Sequence, residues 1–453
     1  MDDRNSVQQK REERRKRRVR NQIAAYMFLA VLILAAAAGI AAGVDFLTRR
    51  QQETEQKEQE NQDIIDDMLA EEDQITTPEP TPEPTPEPPT PEERLDEIID
   101  NRISSMPLED KVAGLFIVTP EAITGAETVI QAGDGTKQAL EQYAVGGFIY
   151  FKKNIQSEEQ LRTMLDNTKL YAKYPLFLAV DEEGGSVARV ASSDIGPKVD
   201  GAGDIGATGD VQNAYNAGVT IGNTLSGLGF NLDFAPVADL ANVEGSIMEG
   251  RSYGADAASA AGYVTSMMAG LEGQKVTACL KHFPGIGCTT EDTHEGMVST
   301  DRTAEQFWTE ELAVFQAGID AGANMIMVSH MSVPSLTGSE TAEEKIPAVF
   351  SETIVTDILR ERMKFQGIII TDSLSMAAVS EYYGADEAAI MALLAGCDML
   401  LMPEDFSIAY NGVLEAVRNG NISEERVNDA LKRIYRVKYA YMLEELAAQP
   451  SES

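Results

Sequence analysis

The chain has 453 residues, a length that suits roughly two to three domains. It carries 73 Asp plus Glu against 37 Lys plus Arg, a net charge of −36, and residues 1–50 run against that trend with 11 basic and 5 acidic side chains. So anionic a body repels phosphate backbones, which excludes nucleic acid as a partner of the main domain. The three cysteines, Cys279, Cys288 and Cys397, are too few for a disulfide framework, and none lies in a CxxC pair that would suit a zinc ribbon.

Residues 10–20 (KREERRKRRVR) are strongly basic, and Ile23 to Val44 follows as 22 residues without a charge. At about 1.5 Å per residue this run spans about 33 Å, enough to cross the hydrocarbon core. The expectation is a membrane helix over 23–44 with residues 1–22 as a cytoplasmic tail, so that the rest of the chain faces outward. Arg49 and Arg50 on the far side weaken the bias but are outnumbered. A cleaved signal peptide is the competing reading, given the small residues AAAAGIAAG, but the apolar run exceeds a usual signal core.

Residues 45–94 read as a spacer. Its first part is Gln- and Glu-rich and too polar to form a core. Pro78 to Pro91 then holds eight of the chain's 18 prolines in TPEPTPEPTPEPPTPEE, which favours an extended polyproline II rod of roughly 40 Å. Such a stalk holds a domain away from a membrane. Recognition by a proline-reading partner domain is the weaker alternative on the outer side.

From residue 95 to 453 the composition is that of a folded domain. Short apolar runs recur at Gly114–Val118, Gly146–Phe151, Pro175–Val180, Asn231–Val237, Thr277–Phe283, Asn324–His330, Gly367–Asp372 and Asp398–Pro403. Helical patterns lie between them at Ser157–Ala172, Val211–Leu228, Ala255–Leu271, Thr303–Ala321 and Ser351–Met363. Alternating strands and helices call for a parallel sheet, and eight strands suit closure into a (β/α)8 TIM-type barrel. An open doubly wound sheet would want a glycine-rich phosphate turn after its first strand, and Gly114–Val118 has none.

In such a barrel the active site lies at the C-terminal strand ends. The polar residues leaving the strands are Asp181 with Glu182 and Glu183, Asp239, Lys281 with His282, His330 and Asp372. Two of the three histidines stand at strand exits, and the third, His294, lies in the loop beyond one. A single strand-end histidine is commonly structural; convergence of so many polar groups on one rim points to a site.

The segment Lys281–Gly296 (KHFPGIGCTTEDTHEG) leaves its strand through Pro284, Gly285 and Gly287, so the backbone turns sharply into a loop. Asp292 and His294 are two positions apart, which in an extended segment puts both side chains on one side. There the carboxylate orients the imidazole as a general acid/base. A solvated acidic loop is the bland alternative. Asp372 ends an almost wholly apolar strand and reads as a nucleophile, a metal ligand or a helix cap. Asp181 opens DEEGGSVAR, where Gly184 and Gly185 let the backbone approach a ligand and Arg189 can return towards a carboxylate; Arg251 sits in the Gly-flanked EGRSYG.

Five blocks, KHFPGxGxxxxDxH, DxEGGxVxR, NLDFAPVAD, GRSYG and TDSLSM, together resemble glycoside hydrolase family 3, and most closely its bacterial β-N-acetylhexosaminidase branch. The similarity runs from about Leu108 to Val417, nearly all of the folded part. The resemblance implies a (β/α)8 barrel in which Asp372 is the nucleophile and His294, paired with Asp292, is the general acid/base. It also implies that Asp181, Arg189, Arg251, Lys281 and His282 hold the hydroxyls and acetamido group of the terminal sugar. Retaining hydrolysis of β-linked N-acetylglucosamine follows, with no metal or organic cofactor. Phosphate as the acceptor, and hence phosphorolysis, stays open, as does a β-glucosidase or β-xylosidase of the same family.

One motif departs from the branch. The position after KHFPG, often histidine there, is Ile286 here, which puts aglycone preference in question. Ser423 to Leu446 reads as a closing helix, so a single catalytic domain is expected. Anchor, stalk and barrel together suggest a cell-surface enzyme acting on peptidoglycan fragments, with no protein partner evident. Two further classes compete: a metal-dependent barrel hydrolase using His282, His330 and Asp372, and a non-catalytic wall-binding protein.

Overall fold

The computed structural model describes residues 89–292, 294–338, 346–440 and 442–448. The expected membrane helix at 23–44 and nearly all of the expected spacer lie outside the described residues. Among the described residues no helix is long and apolar enough to cross a membrane.

Eight parallel strands form one sheet: β1 Phe116–Val118, β2 Gly147–Ile149, β3 Phe177–Val180, β4 Leu232–Asp233, β5 Thr277–Phe283, β6 Met325–Val328, β7 Ile368–Thr371 and β8 Leu400–Leu401. Neighbours in sequence are neighbours in space, and β8 pairs back onto β1 with Phe116 opposite Leu400. A bridge between Ile370 and Met399, with the Thr371 N–H donating to the Met399 carbonyl at 3.1 Å, links β7 to the edge of β8. The sheet thereby curls into the TIM-type barrel expected from the sequence. With helices outside and side chains filling the interior, both faces of each strand are dry, so strands such as Met325–Val328 and Ile368–Thr371 are buried at every position.

The helices begin where the sequence supplies a side-chain acceptor. Ser157, Asp256, Asp405 and Ser423 each accept from the N–H three residues on, a contribution of about 1 kcal/mol apiece. The first described helix, α1 Pro91–Ser104, opens with Thr90 and Glu93 in a reciprocal capping box. Pro91 is therefore the first residue of a helix rather than the end of a stalk, since its fixed φ and missing N–H suit that position. The folded part starts four residues ahead of the expected boundary at 95. α1 packs against α2 Glu424–Lys438, with Ile99 fully buried; the closing helix expected over Ser423 to Leu446 is instead α2 and a separate short helix, Met442–Ala448.

Three expected elements differ in detail. Asn231–Val237 is a strand only over Leu232–Asp233, because Pro236 has no N–H to give to a ladder; a single bridge joins Val237 to Lys281 beyond it. Thr303–Ala321 is two helices, Ala304–Thr309 and Glu311–Asp320, broken at Glu310, and Arg302 pairs with both Glu310 and Glu311 at that break. Thr353–Arg362 winds as a π-helix, with the Met363 N–H reaching back five residues to the Ile358 carbonyl at 2.8 Å.

Candidate active site

The C-terminal strand ends enclose a cleft of about 720 Å³. β3 ends at Val180 and releases Asp181 into it. A short two-stranded ribbon, Glu182–Gly184 against Val187–Ala188, follows at once. Glu182 turns away from the cleft and accepts the Val190 and Ala191 N–H groups at 2.7 and 3.0 Å, which pins the returning strand and so places Arg189 at the rim. Glu183, on the opposite side of the chain, faces the cleft.

Lys281, near the end of β5, is fully buried, and its Nζ lies 2.8 Å from Asp181 Oδ1 and 2.7 Å from Glu183 Oε1. Arg251 closes the network from the loop after β4, donating from Nε and Nη2 to the two Glu183 oxygens at 2.9 and 2.6 Å. Burial alone would raise the Glu183 pKa; the Lys281 and Arg251 cations outweigh it and hold the carboxyl at about 2. Burial likewise opposes the charge of Lys281, yet the Asp181 and Glu183 carboxylates push its pKa above the usual lysine value. Two acids and two bases thus form one fixed array at the floor of the cleft.

His282 follows Lys281 on the strand. Asp239, fully buried, accepts the His282 backbone N–H at 3.0 Å, its ring Nδ1–H at 2.7 Å and the Ile286 N–H at 2.7 Å. Because a carboxylate only accepts, the proton on that ring sits on Nδ1, and Nε2 is left for the cleft. Gly287 threads the following turn past the Leu240 carbonyl so closely that a Cβ on it would stand 1.8 Å from that oxygen. This tight passage launches the loop bearing Asp292 and His294. There the His294 backbone N–H and ring Nδ1 both lie 2.8 Å from Asp292 Oδ1. The His294 side chain is 70% exposed and lines the cleft with Asp292. Burial would raise the Asp292 pKa, but the hydrogen bonds and charge of His294, with Arg251, hold it below the usual range.

Asp372 follows the last residue of β7. The Ser373 N–H donates to its Oδ1 at 2.7 Å, and no described residue donates to Oδ2. Burial pushes this carboxyl up, while His282, His330, the Ser373 N–H and Lys281 together bring its pKa below the usual aspartate value. An ionised carboxylate with one oxygen tethered and the other open is what a nucleophile at a sugar carbon requires.

A scan of family models matches residues 107–437 to the glycosyl hydrolase family 3 N terminal domain. The chain belongs to glycosyl hydrolase family 3. It is similar to beta-hexosaminidase A of Pseudoalteromonas piscicida, 29% identical over 326 residues that cover 66% of this chain and 54% of that protein. It is also similar to a beta-hexosaminidase of Stenotrophomonas maltophilia (strain K279a), 31% identical over 285 residues covering 62% and 81%. Among solved structures it resembles a family 3 beta-N-acetylglucosaminidase from Paenibacillus sp. str. FPU-7, with 31% identity and a TM-score of 0.69 over 77% of this chain and 65% of that one. The chain spans about half the length of the first of these relatives.

In this family 3 chain one cleft gathers Asp181, Arg189, Arg251, Lys281, His282, Asp292, His294 and Asp372, the eight residues to which the resemblance gave a role. Three others support them, and of these three Glu183 alone lines the cleft. Glu183 is the hub of the ion network, Asp239 sets the His282 tautomer, and His330 is fully buried beside Asp372. Each of the three stood among the strand-exit residues, yet only tertiary contacts give it a partner. The metal reading would have to use His282 Nε2 and His330 Nδ1, since His282 Nδ1 is taken by Asp239 and His330 Nε2 by the Ser373 carbonyl. Among the described residues no group of three or more His, Cys, Asp or Glu side chains is arranged to hold a metal ion.

Proposed function

We propose that the chain is a retaining, exo-acting β-N-acetylhexosaminidase that removes terminal β-linked N-acetylglucosamine. The observation that carries this reading is the pairing in one cleft of an ionised Asp372, with Oδ2 open, and an Asp292–His294 dyad. Asp292 accepts a hydrogen bond from the His294 Nδ1–H, which leaves Nε2 to serve the glycosidic oxygen. In the first step the Nε2 proton passes to that oxygen while Asp372 Oδ2 bonds to the anomeric carbon, and the C–O bond to the aglycone breaks. In the second step neutral His294 takes a proton from water, whose oxygen displaces the Asp372 carboxylate and frees the sugar. After each turnover His294 is again protonated and Asp372 again ionised.

An imidazole suits this role beside Asp372 and the floor carboxylates. A carboxylate as the base would add another negative charge to the cleft, whereas histidine alternates between neutral and positive. The floor supports recognition. Asp181 Oδ2 and the remaining Lys281 and Arg251 N–H groups face a bound sugar as acceptors and donors, already held in place by one another. Arg189 lines the same cleft, with its guanidinium 6.0 Å from the Phe151 ring centroid, and adds a further cation there.

The peptidoglycan origin of the substrate, the outward-facing anchor at 23–44 and the stalk before residue 91 belong to the same proposal, and they rest on the basic and apolar N-terminal pattern and the Pro-rich repeat. The experiment is a turnover comparison of 4-nitrophenyl β-N-acetylglucosaminide with the β-glucoside and β-xyloside, with and without phosphate. The reading requires the acetamido sugar to be preferred, water to suffice as acceptor, and Asp372→Ala to abolish release. Preference for the glucoside, dependence on phosphate or full turnover by D372A would each overturn the corresponding part.

A further inference from the structure

The reaction outlined above uses His294, and His282 lines the cleft, which leaves the third histidine without a task. His330 stands two residues after the end of β6 and is 0% exposed. Its Nε2 lies 2.8 Å from the Ser373 carbonyl oxygen. A carbonyl accepts and cannot donate, so Nε2 carries a proton. Nδ1 is buried with no hydrogen-bond partner among the described residues. Burial, opposed only in part by the Asp372 charge, lowers the pKa of this imidazole, in keeping with a neutral ring protonated at Nε2 alone. The groups that bear on it are Asp372, the Ser373 backbone, His282 and His294.

Ser373 is held at both ends of its backbone. Its carbonyl accepts from His330 Nε2–H at 2.8 Å and, at the longer distance of 3.2 Å, from the Met376 N–H, and its own N–H donates to Asp372 Oδ1 at 2.7 Å. On the other side the Asp372 N–H is tied to the Val328 carbonyl at 2.9 Å, two residues before His330. The end of β6 therefore grips the chain immediately before and after the Asp372 side chain.

We propose that His330 is a positioning residue: by holding the Ser373 carbonyl through Nε2–H, it keeps the Ser373 N–H on Asp372 Oδ1 and leaves Oδ2 as the attacking atom. The inference rests on the assignment of Asp372 as nucleophile. His330 touches neither substrate nor a transferred proton. Without its grip the peptide after Ser373 keeps only the Leu374 N–H bond to the Leu401 carbonyl at 2.9 Å and the longer Met376 contact; the Ser373 backbone then shifts, its N–H leaves Oδ1, and the carboxylate samples orientations in which neither oxygen points at the anomeric carbon. A misplacement of about 1 Å at a reacting atom is enough to cost roughly 100-fold in rate.

The test compares side chains that keep or lose the donor at one place. His330→Gln sets an amide N–H near the position of Nε2, His330→Met has similar length and no donor, and His330→Asn sets its N–H near Nδ1. On 4-nitrophenyl β-N-acetylglucosaminide, H330M and H330N are expected to lose about 100-fold in kcat with KM nearly unchanged, and H330Q to recover to within about tenfold of the parent. Normal kcat in H330M, or equal loss in H330M and H330Q, overturns the proposal. Nitrogen NMR of the parent protein labelled at histidine reads the tautomer directly, and with three imidazoles in the chain the signals are few. A neutral ring protonated at Nε2 is expected for His330; protonation at Nδ1 overturns the proposal whatever the variants do. D372A in the same series separates the two layers. Full turnover by D372A removes the nucleophile assignment itself, whereas an inactive D372A beside a normal H330M removes only the role of His330.

Discussion

Lys281 Nζ stands 2.7 Å from Glu183 Oε1, and the other oxygen of that carboxylate is occupied by Arg251 Nε at 2.9 Å. One buried acid thus bridges two cations, one brought by strand β5 and the other by the loop after β4. Removing one partner of such a group leaves uncompensated charge in a dry site. Glu183→Gln is expected to destabilise the fold by about 3 kcal/mol and to weaken sugar binding, read from urea denaturation and from KM.

The same carboxylate links stability to pH. Its folded pKa is about 2, below the ordinary 4.5, because Lys281 and Arg251 outweigh the effect of burial. Its contribution is therefore fully present above about pH 4.5 and lost as pH falls towards 2. Unfolding midpoints measured from about pH 6 down to about pH 3 should fall more steeply for the parent than for E183Q; parallel curves would contradict the linkage.

Asp239 accepts three N–H groups, two of them from His282. An amide in its place has a single acceptor oxygen and presents two hydrogens to groups that are themselves donors. Asp239→Asn is expected to turn or re-tautomerise the His282 ring and to lower kcat/KM by about 100-fold, checked by steady-state kinetics on a variant shown to be folded by circular dichroism.

Gly287 tests the launch of the loop that carries Asp292 and His294. A Cβ there meets the Leu240 carbonyl at 1.8 Å, and a backbone oxygen has little room to retreat. Gly287→Ala is expected to cost about 3 kcal/mol and to displace Asp292 and His294, so activity should fall further than the stability loss explains. An unchanged melting temperature would mean that the turn relaxes.

The barrel was readable because its strands are dry on both faces. Stretches such as GIII and NMIMV are continuous apolar runs rather than alternating ones, and eight of them interleave with helical patterns. What escaped was local bending. Glu310 interrupts a helix that reads as continuous, where Arg302 meets two adjacent acids, and Thr353–Arg362 widens into a π-helix although its composition is ordinary.

The candidate site divides in the same way. Asp181, Lys281, Asp292, His294 and Asp372 announce themselves because a charged side chain at the end of an apolar strand, or beside glycines, needs a reason to be there. Glu182 and Glu183 look alike in sequence, yet one accepts two backbone N–H groups and the other two cations. Which does which depends on side-chain alternation within a two-stranded ribbon and on what lies opposite.

Residue order alone established a body of alternating strands and helices with polar groups at the strand exits, because periodicity and chain direction are local properties. Only the closed barrel decided which of those groups meet. Asp239 finds His282, Lys281 finds Glu183, and His330 finds the Ser373 carbonyl across gaps of about 40 to 100 residues. Hydrogen bonds and ion pairs act over about 3 Å, and contact at that range between distant residues is set by the curvature and register of the sheet, which no local window of the chain contains.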